Sequence, residues 1–316
     1  MTTTSLAEWS NLAVYSAMFV LTAAFIAFAV GFAARGQRVT TPEKLAVPVG
    51  GGASSADSPA SDGSSNDQAG RRASNIGLAL SWLAFGLLLV GLVLRGLWAG
   101  RVPWGNMYEF SLASAAGILG VYLVISTRRD VRWLGLFVAG ATLLTLGLAV
   151  TVLYTEAAQL VPALKSWWLV IHVSAAVICG GAFTVAAGIT VLYLWRERAE
   201  RLGRVTGVVA KLPDAARLDT LAYRILAFAF PLWTFAVIAG AIWAENAWGR
   251  YWGWDPKETW AFITWVFYAG YLHARATAGW RGRRAAYISL LGFASFLINY
   301  FGVNLFVNSL HSYAGL

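Results

Sequence analysis

Eight apolar runs, each about 20 residues long, set the limits on how this chain can fold. They fall at roughly 12–33, 75–97, 108–126, 133–154, 167–195, 222–244, 259–278 and 286–308. A helix rising 1.5 Å per residue crosses a hydrocarbon layer of about 30 Å in about 20 residues. Inside lipid every backbone polar group must find its partner within the protein, and continuous apolar runs of this length do so as helices. The fold class expected is all-α: a polytopic membrane bundle of about eight transmembrane helices. With 58% hydrophobic and only 12% charged residues among 316, a soluble domain is excluded.

The net charge of +9 does not call for nucleic acid as a partner, because the basic residues sit in short segments between the apolar runs. Segments 34–74, 127–132, 196–220 and 274–285 hold eighteen Lys and Arg. The alternate segments hold four: Arg101, Lys165, Arg250 and Lys257. Such a bias puts the first set on the cytoplasmic side and both termini outside. The first run is preceded by MTTTSLAEWSN, which lacks the basic residues of a cleaved leader, so 1–33 reads as an N-terminal transmembrane helix. Segment 34–74 contains GGGASSADSPASDGSSNDQAG, too polar to bury a core, and reads as a flexible cytoplasmic linker to a seven-helix domain over 75–316. Cys179 is the sole cysteine and lies in an apolar run, so thiol chemistry must come from a partner or substrate.

The external loop 245–260 contains Trp248-Gly-Arg-Tyr-Trp-Gly-Trp-Asp-Pro-Lys-Glu-Thr-Trp260. One or two aromatic anchors suffice at a membrane boundary. Four tryptophans beside Arg250 and Lys257 offer flat polarisable faces next to cations. That suits a planar apolar ligand with anionic edges, and haem is such a ligand. The three histidines bear on this. His172 and His311 bracket the outer face and can share one iron. His273 lies about 14 residues into the seventh run, so roughly 21 Å away, and needs a separate inner site. Packing or a proton path is the plainer alternative for each, and a snorkelling Arg275 beside His273 is ordinary.

Other polar residues have structural readings beside functional ones. Asp255 and Pro256 suit the N-cap and first position of the seventh helix. Glu109 opens the third run, where a helix dipole favours an acid. Trp265, Tyr268 and Tyr271 read as helix packing, and Asn299 as an interhelical hydrogen bond. Asn304, Asn308 and His311 share one face if the last helix continues that far. No nucleotide-binding loop, catalytic serine motif or paired-carboxylate site is present, and no general acid or base stands out.

WGRYWGWDPKETW, YLHARA and the ending NSLHSYA resemble the WWD-domain haem-handling proteins, and within them the CcsA/ResC cytochrome c biogenesis family, called CcsB in some lineages. The resemblance covers most of 75–316. VPWGNMYEF is similar to the family's P-x-S-N-M-Y-E-S segment, with Gly105 and Phe110 departing from it. The resemblance implies that His172 and His311 ligate haem b externally and that His273 serves haem entry from the inner side. It implies that Trp248, Trp252, Trp254, Asp255 and Trp260 form the aromatic domain. The partners implied are a CcsB/ResB-like membrane subunit, apocytochrome c with its Cys-x-x-Cys-His, a thioredoxin-like thiol reductant and membrane lipid, in a bacterial plasma membrane. The function expected is that of a haem-binding subunit of a cytochrome c synthase (a haem lyase complex), presenting haem for thioether attachment. The alternative is a transporter or chaperone that delivers haem without attaching it. A dihaem quinol-oxidising cytochrome b needs four histidines, and an ion transporter leaves the tryptophans unexplained.

Overall fold

The computed structural model describes residues 3–35, 62–157, 166–277 and 279–311. Among these the chain is helical without strands. The helices are α1 (Thr3–Ala33), α2 (Asp62–Ala99), α3 (Met107–Arg128), α4 (Gly135–Thr151), α5 (Trp167–Arg201), the short α6 (Gly207–Ala210), α7 (Ala215–Trp248), α8 (Pro256–Ala276), α9 (Arg283–Leu297) and α10 (Val303–Phe306). A 3-10 turn over Arg132–Leu134 leads into α4, and a π segment over Ile298–Gly302 joins α9 to α10.

Seven helices in the described residues are long and apolar enough to cross a membrane, the last running from Arg283 to Phe306. This is a polytopic helical membrane protein. α8, the counterpart of the run at 259–278, has 21 residues and so rises about 31 Å. Its composition keeps it out of the seven, but it runs from one end of the bundle to the other.

Of the expected linker 34–74, residues 36–61 lie outside the described residues. Residues 62–74 are helical: α2 begins at Asp62, well before the apolar run at 75. The extension has a packing cause, since Gly70 and Ser74 are buried where α2 lies along α1.

α1 and α2 pair along a seam of Val14, Ala17, Leu21, Ala24 and Phe28, spaced three or four apart and all buried. α5 is the most enclosed helix and packs against α7, α3 and α9 through Ala175, Cys179, Ala182, Phe183 and Ala186. Cys179 is buried and unpaired. Tyr268 and Tyr271 are buried, and Trp265 Nε1 donates to Thr234 Oγ1 at 2.9 Å, so these residues pack helices as expected.

The alternating helices give the bundle two ends. One gathers the N-terminal ends of α3, α5 and α8 with the C-terminal ends of α2 and α7, tied by contacts such as Arg95 to Glu109 and His172 to Ala236. The other gathers the basic segments, tied by Arg132 to Asn75 and Arg275 to Asp219.

Candidate functional site

Helices enter the Trp-rich segment from both sides. α7 continues through Trp248 and closes on Gly249, whose φ of 69° suits a residue without Cβ. α8 starts at Pro256, so only 249–255 is loop. Asp255 caps α8: its Oδ2 accepts the Lys257 amide at 3.3 Å, and the Asp255 amide donates to Glu258 Oε2 at 3.1 Å. This reciprocal box satisfies two helix-terminal donors. Glu258 also accepts the Gly253 amide at 2.8 Å and Arg250 Nη1 at 3.1 Å. One carboxylate thus folds the loop back onto the helix that follows it.

The last helix does not reach His311. The π segment shifts its register, α10 stops at Phe306, and Val307 is extended. The expected common face of Asn304, Asn308 and His311 is therefore not formed. Asn304 donates instead to the Tyr300 carbonyl. His311 arrives on a strap, and Asp255 catches it twice. The Leu310 amide donates to Asp255 Oδ1 at 2.9 Å, and His311 Nδ1 lies 2.8 Å from Asp255 Oδ2. Capping and orienting roles of Asp255 coexist.

His172 sits near the start of α5, with Nδ1 2.7 Å from the Ala236 carbonyl of α7. Gly240 permits this approach, since a Cβ there would lie 2.7 Å from the imidazole. Trp243 touches both histidines. Its ring lies 6.3 Å from that of His172, nearly parallel at 12°, and 5.5 Å from that of His311. Trp248 backs His311 at 4.8 Å.

Both histidines line one cavity of about 190 Å³. Its walls are aromatic, from Phe110, Trp233, Trp243, Trp252, Phe296 and Tyr300. Lys257 is the cation on its lining, and Asn299 contributes a buried amide oxygen without a protein partner. Burial pushes the His311 imidazole down to about 4 although Asp255 opposes it, so the ring is neutral at pH 7. Burial pushes the Asp255 carboxyl up, but the Leu310 amide and His311 outweigh it and hold it below the usual carboxylate range. Burial lowers Lys257 to about 8, which leaves it mostly charged.

A second loop forms the opposite rim, with Trp104, Gly105 and Asn106 on the cavity lining. Asn106 caps α3 by accepting the Glu109 amide at 2.9 Å. Glu109 is fully buried. It accepts the Gly105 amide at 2.8 Å, Arg101 Nη1 at 2.6 Å and Arg95 Nε at 3.1 Å. The helix dipole is therefore a small part of its role.

The structure gathers His172, His311, Trp252 and Lys257 on the cavity and places Asp255 and Trp248 directly behind His311. Arg250 instead pairs with Glu258 and is not on the lining. Trp254 is 64% exposed, and Trp260 is half-buried away from the lining. His273 is exposed on the last turns of α8, sixteen residues past Lys257 and so about 24 Å along the axis. Trp233 and Trp243 escaped the sequence reading. Their signal is the face 233, 236, 240, 243 and 244 of α7, which alternates tryptophan with small residues.

Among the described residues no three His, Cys, Asp or Glu side chains cluster to hold a bare metal ion. Two histidines with Nδ1 engaged suit a metal that brings its own equatorial ligands. Ligation by either ring would go through Nε2, and acceptors on Nδ1 are the usual supports of a metal-bound histidine.

A family model described as Cytochrome C assembly protein matches residues 104–311. The cytochrome c biogenesis protein CcsA of Guillardia theta is 36% identical over 259 residues, covering 76% of this chain and 86% of that protein. That of Porphyra purpurea is 35% identical over 269 residues, covering 72% and 84%. Among solved structures, a cytochrome c haem lyase, CcmF, shares the fold with a TM-score of 0.61 at 16% identity, over 95% of this chain and 47% of its own.

Proposed function

The chain belongs to the Cytochrome C assembly protein family, and from that premise we propose that it holds haem b in the cavity between His172 and His311 for covalent attachment to apocytochrome c. The observation that carries this reading is the anchoring of both rings at Nδ1. Ala236 fixes one and Asp255 the other. Both are thereby set in the tautomer that ligates through Nε2.

The other side chains have complementary roles. Trp243 and Trp252 flank the macrocycle, and Lys257 pairs with a propionate. His311, neutral at pH 7, meets the iron without first losing a proton. The cavity walls exclude water and fix the orientation of the vinyl edge, so positioning is the main contribution to rate. The thiols and an incoming histidine come from the Cys-x-x-Cys-His of the apocytochrome, kept reduced by a thioredoxin-like protein. A CcsB/ResB-like subunit completes the synthase. The histidine end faces outside the bacterial plasma membrane, in keeping with the few basic residues in its loops. His273, at the other end, serves haem entry from the inner side.

The absorption spectrum of the purified full chain tests this reading. A low-spin, six-coordinate haem is expected, with a high-spin form or haem loss in His172→Ala and in His311→Ala. An unchanged spectrum in either variant removes that histidine from the site. Imidazole should restore haem to His311→Gly, and should do less for Trp252→Ala, where a stacking face is missing.

A further inference from the structure

At the end of the bundle away from the histidines lies a larger cavity, of about 840 Å³. It is bounded by the C-terminal end of α1, the first turns of α2, the turn between α3 and α4, and the start of α7. Seven Lys or Arg side chains line it, against only Asp67 and Asp130. Asp130 is already spent on Arg132, through Nε at 2.8 Å. Among the described residues the side chains of Arg71, Arg129 and Arg224 have neither an ion pair nor a hydrogen bond. These three come from different elements and converge on one space.

The floor of the cavity is different. Val131, Trp133, Leu212 and Leu218 are all buried and apolar. A cationic rim over an apolar floor matches a ligand that carries phosphate and hydrocarbon together. Free phosphate would use the rim alone. A porphyrin would find no His, Cys or Met on the lining.

We propose that this cavity is a binding site for an anionic phospholipid, with Arg71, Arg129 and Arg224 holding the phosphate-glycerol headgroup. Basic pockets between membrane helices on the cytoplasmic side take such headgroups. The basic segments that form this cavity are those whose charge bias marks them as cytoplasmic. The site ties α1 and α2 to the turn before α4 and to α7, so a bound lipid braces four helices from the end opposite the histidines.

The test is lipid binding to the purified full chain in detergent, by native mass spectrometry, with dioleoylphosphatidylglycerol and dioleoylphosphatidylcholine supplied at equal concentration. The wild-type chain should prefer the anionic lipid. Combining Arg71→Gln, Arg129→Gln and Arg224→Gln should lower its affinity on the order of a hundredfold, from the usual contribution of a cation near an anionic headgroup. The three Arg→Lys changes together should keep most of it. Should the triple glutamine variant not purify as a monodisperse protein, Arg224→Gln alone, at an exposed position, should lower the affinity about fivefold. Equal binding of the two lipids by the wild type, or unchanged preference in the glutamine variants, overturns the proposal. Displacement of the lipid by equimolar inorganic pyrophosphate would make it a free-phosphate site, and displacement by haem a porphyrin site. Either result also overturns it.

Discussion

Two loops face each other across the histidine cavity, and they are built on the same clasp. In 101–109 an arginine, Arg101, stands eight residues before the glutamate Glu109, whose carboxylate takes its guanidinium and a loop glycine amide and whose own amide donates to a cap three residues back. In 250–258, Arg250, Gly253, Asp255 and Glu258 repeat the scheme at the same spacing of arginine, cap and glutamate. The difference lies in two places. The first clasp is sealed: Glu109 is fully buried and holds a second arginine, Arg95, which is buried too. The second has an exposed shoulder and a charged cap. Asparagine can cap a helix as well as aspartate does. Aspartate at 255 has a second oxygen with full charge to spend on Leu310 and His311. One clasp fixes a rim; the other fixes a rim and a histidine.

The largest effect should come from removing the glutamates in parallel. Glu109→Ala leaves Arg95 buried without its counter-charge, an arrangement that costs about 3–5 kcal/mol. Glu258→Ala leaves Arg250, which is 31% exposed and can turn to water, and should cost about 1–2 kcal/mol as lost loop hydrogen bonds. Thermal unfolding of the two haem-free variants in one detergent measures the gap. Equal losses would make the two clasps energetically alike.

Converting the second cap into the first comes next. Asp255→Asn keeps a capping side chain but removes the charge opposite His311. Haem retention should fall about 10- to 100-fold, as for other supports of a metal-bound histidine, with the helix content unchanged. Full haem retention would reduce Asp255 to a cap.

Much of this was legible in the sequence. The apolar runs and the alternation of basic segments gave the helices and their order, because both follow from local composition. Asp255 and Pro256 announced a helix start for the same reason. The clasps were not legible, since Glu109 and Glu258 meet arginines through loops whose path no periodicity encodes. Nor was the role of Arg250, which a count of cations near tryptophans assigns to the ligand and the fold assigns to Glu258. A shared face for Asn304, Asn308 and His311 requires the last helix to continue past Phe306, where it ends, and the π segment before that end leaves no mark in hydropathy. Trp233 and Trp243 look like ordinary packing residues until α5 lies beside them.

A smaller effect separates the clasps by pH. The His311 imidazole titrates near 6.5 when unfolded and about 4 when folded. The unfolded chain therefore takes the proton first, and stability falls as pH drops from 6.5 toward 4. The slope is about 1.4 kcal/mol per pH unit at most. The Asn106 clasp has no such group. The thermal midpoint of the haem-free protein should decline from pH 6.5 to 5.5, and His311→Gln should flatten that decline. A slope unaltered in the variant would locate the titration elsewhere.

The smallest effect concerns Trp254, the described residue other than glycine with a positive φ, at 58°. A left-handed conformation costs a residue with Cβ about 1–2 kcal/mol. Against this, its exposed ring gains only edge contacts with Trp252 and Phe262, at 5.7 and 6.1 Å. Trp254→Gly should leave stability level or raise it by up to about 1 kcal/mol. A clear loss of stability would show that the ring packs more tightly than these contacts imply. The same change at Trp252, on the cavity lining, should cost haem.

The strap after α10 has a kinetic consequence. His172 belongs to a long helix and cannot leave without moving the bundle, whereas His311 lies on a short non-helical strap held by Asp255. Coordination chemists call such a pair a hemilabile chelate: one donor stays bonded while the other detaches and returns. On the proposed haem reading, release of His311 would include loss of the two hydrogen bonds at Asp255. On that reading, an incoming histidine would take the place of His311, and His172 would be the ligand that stays.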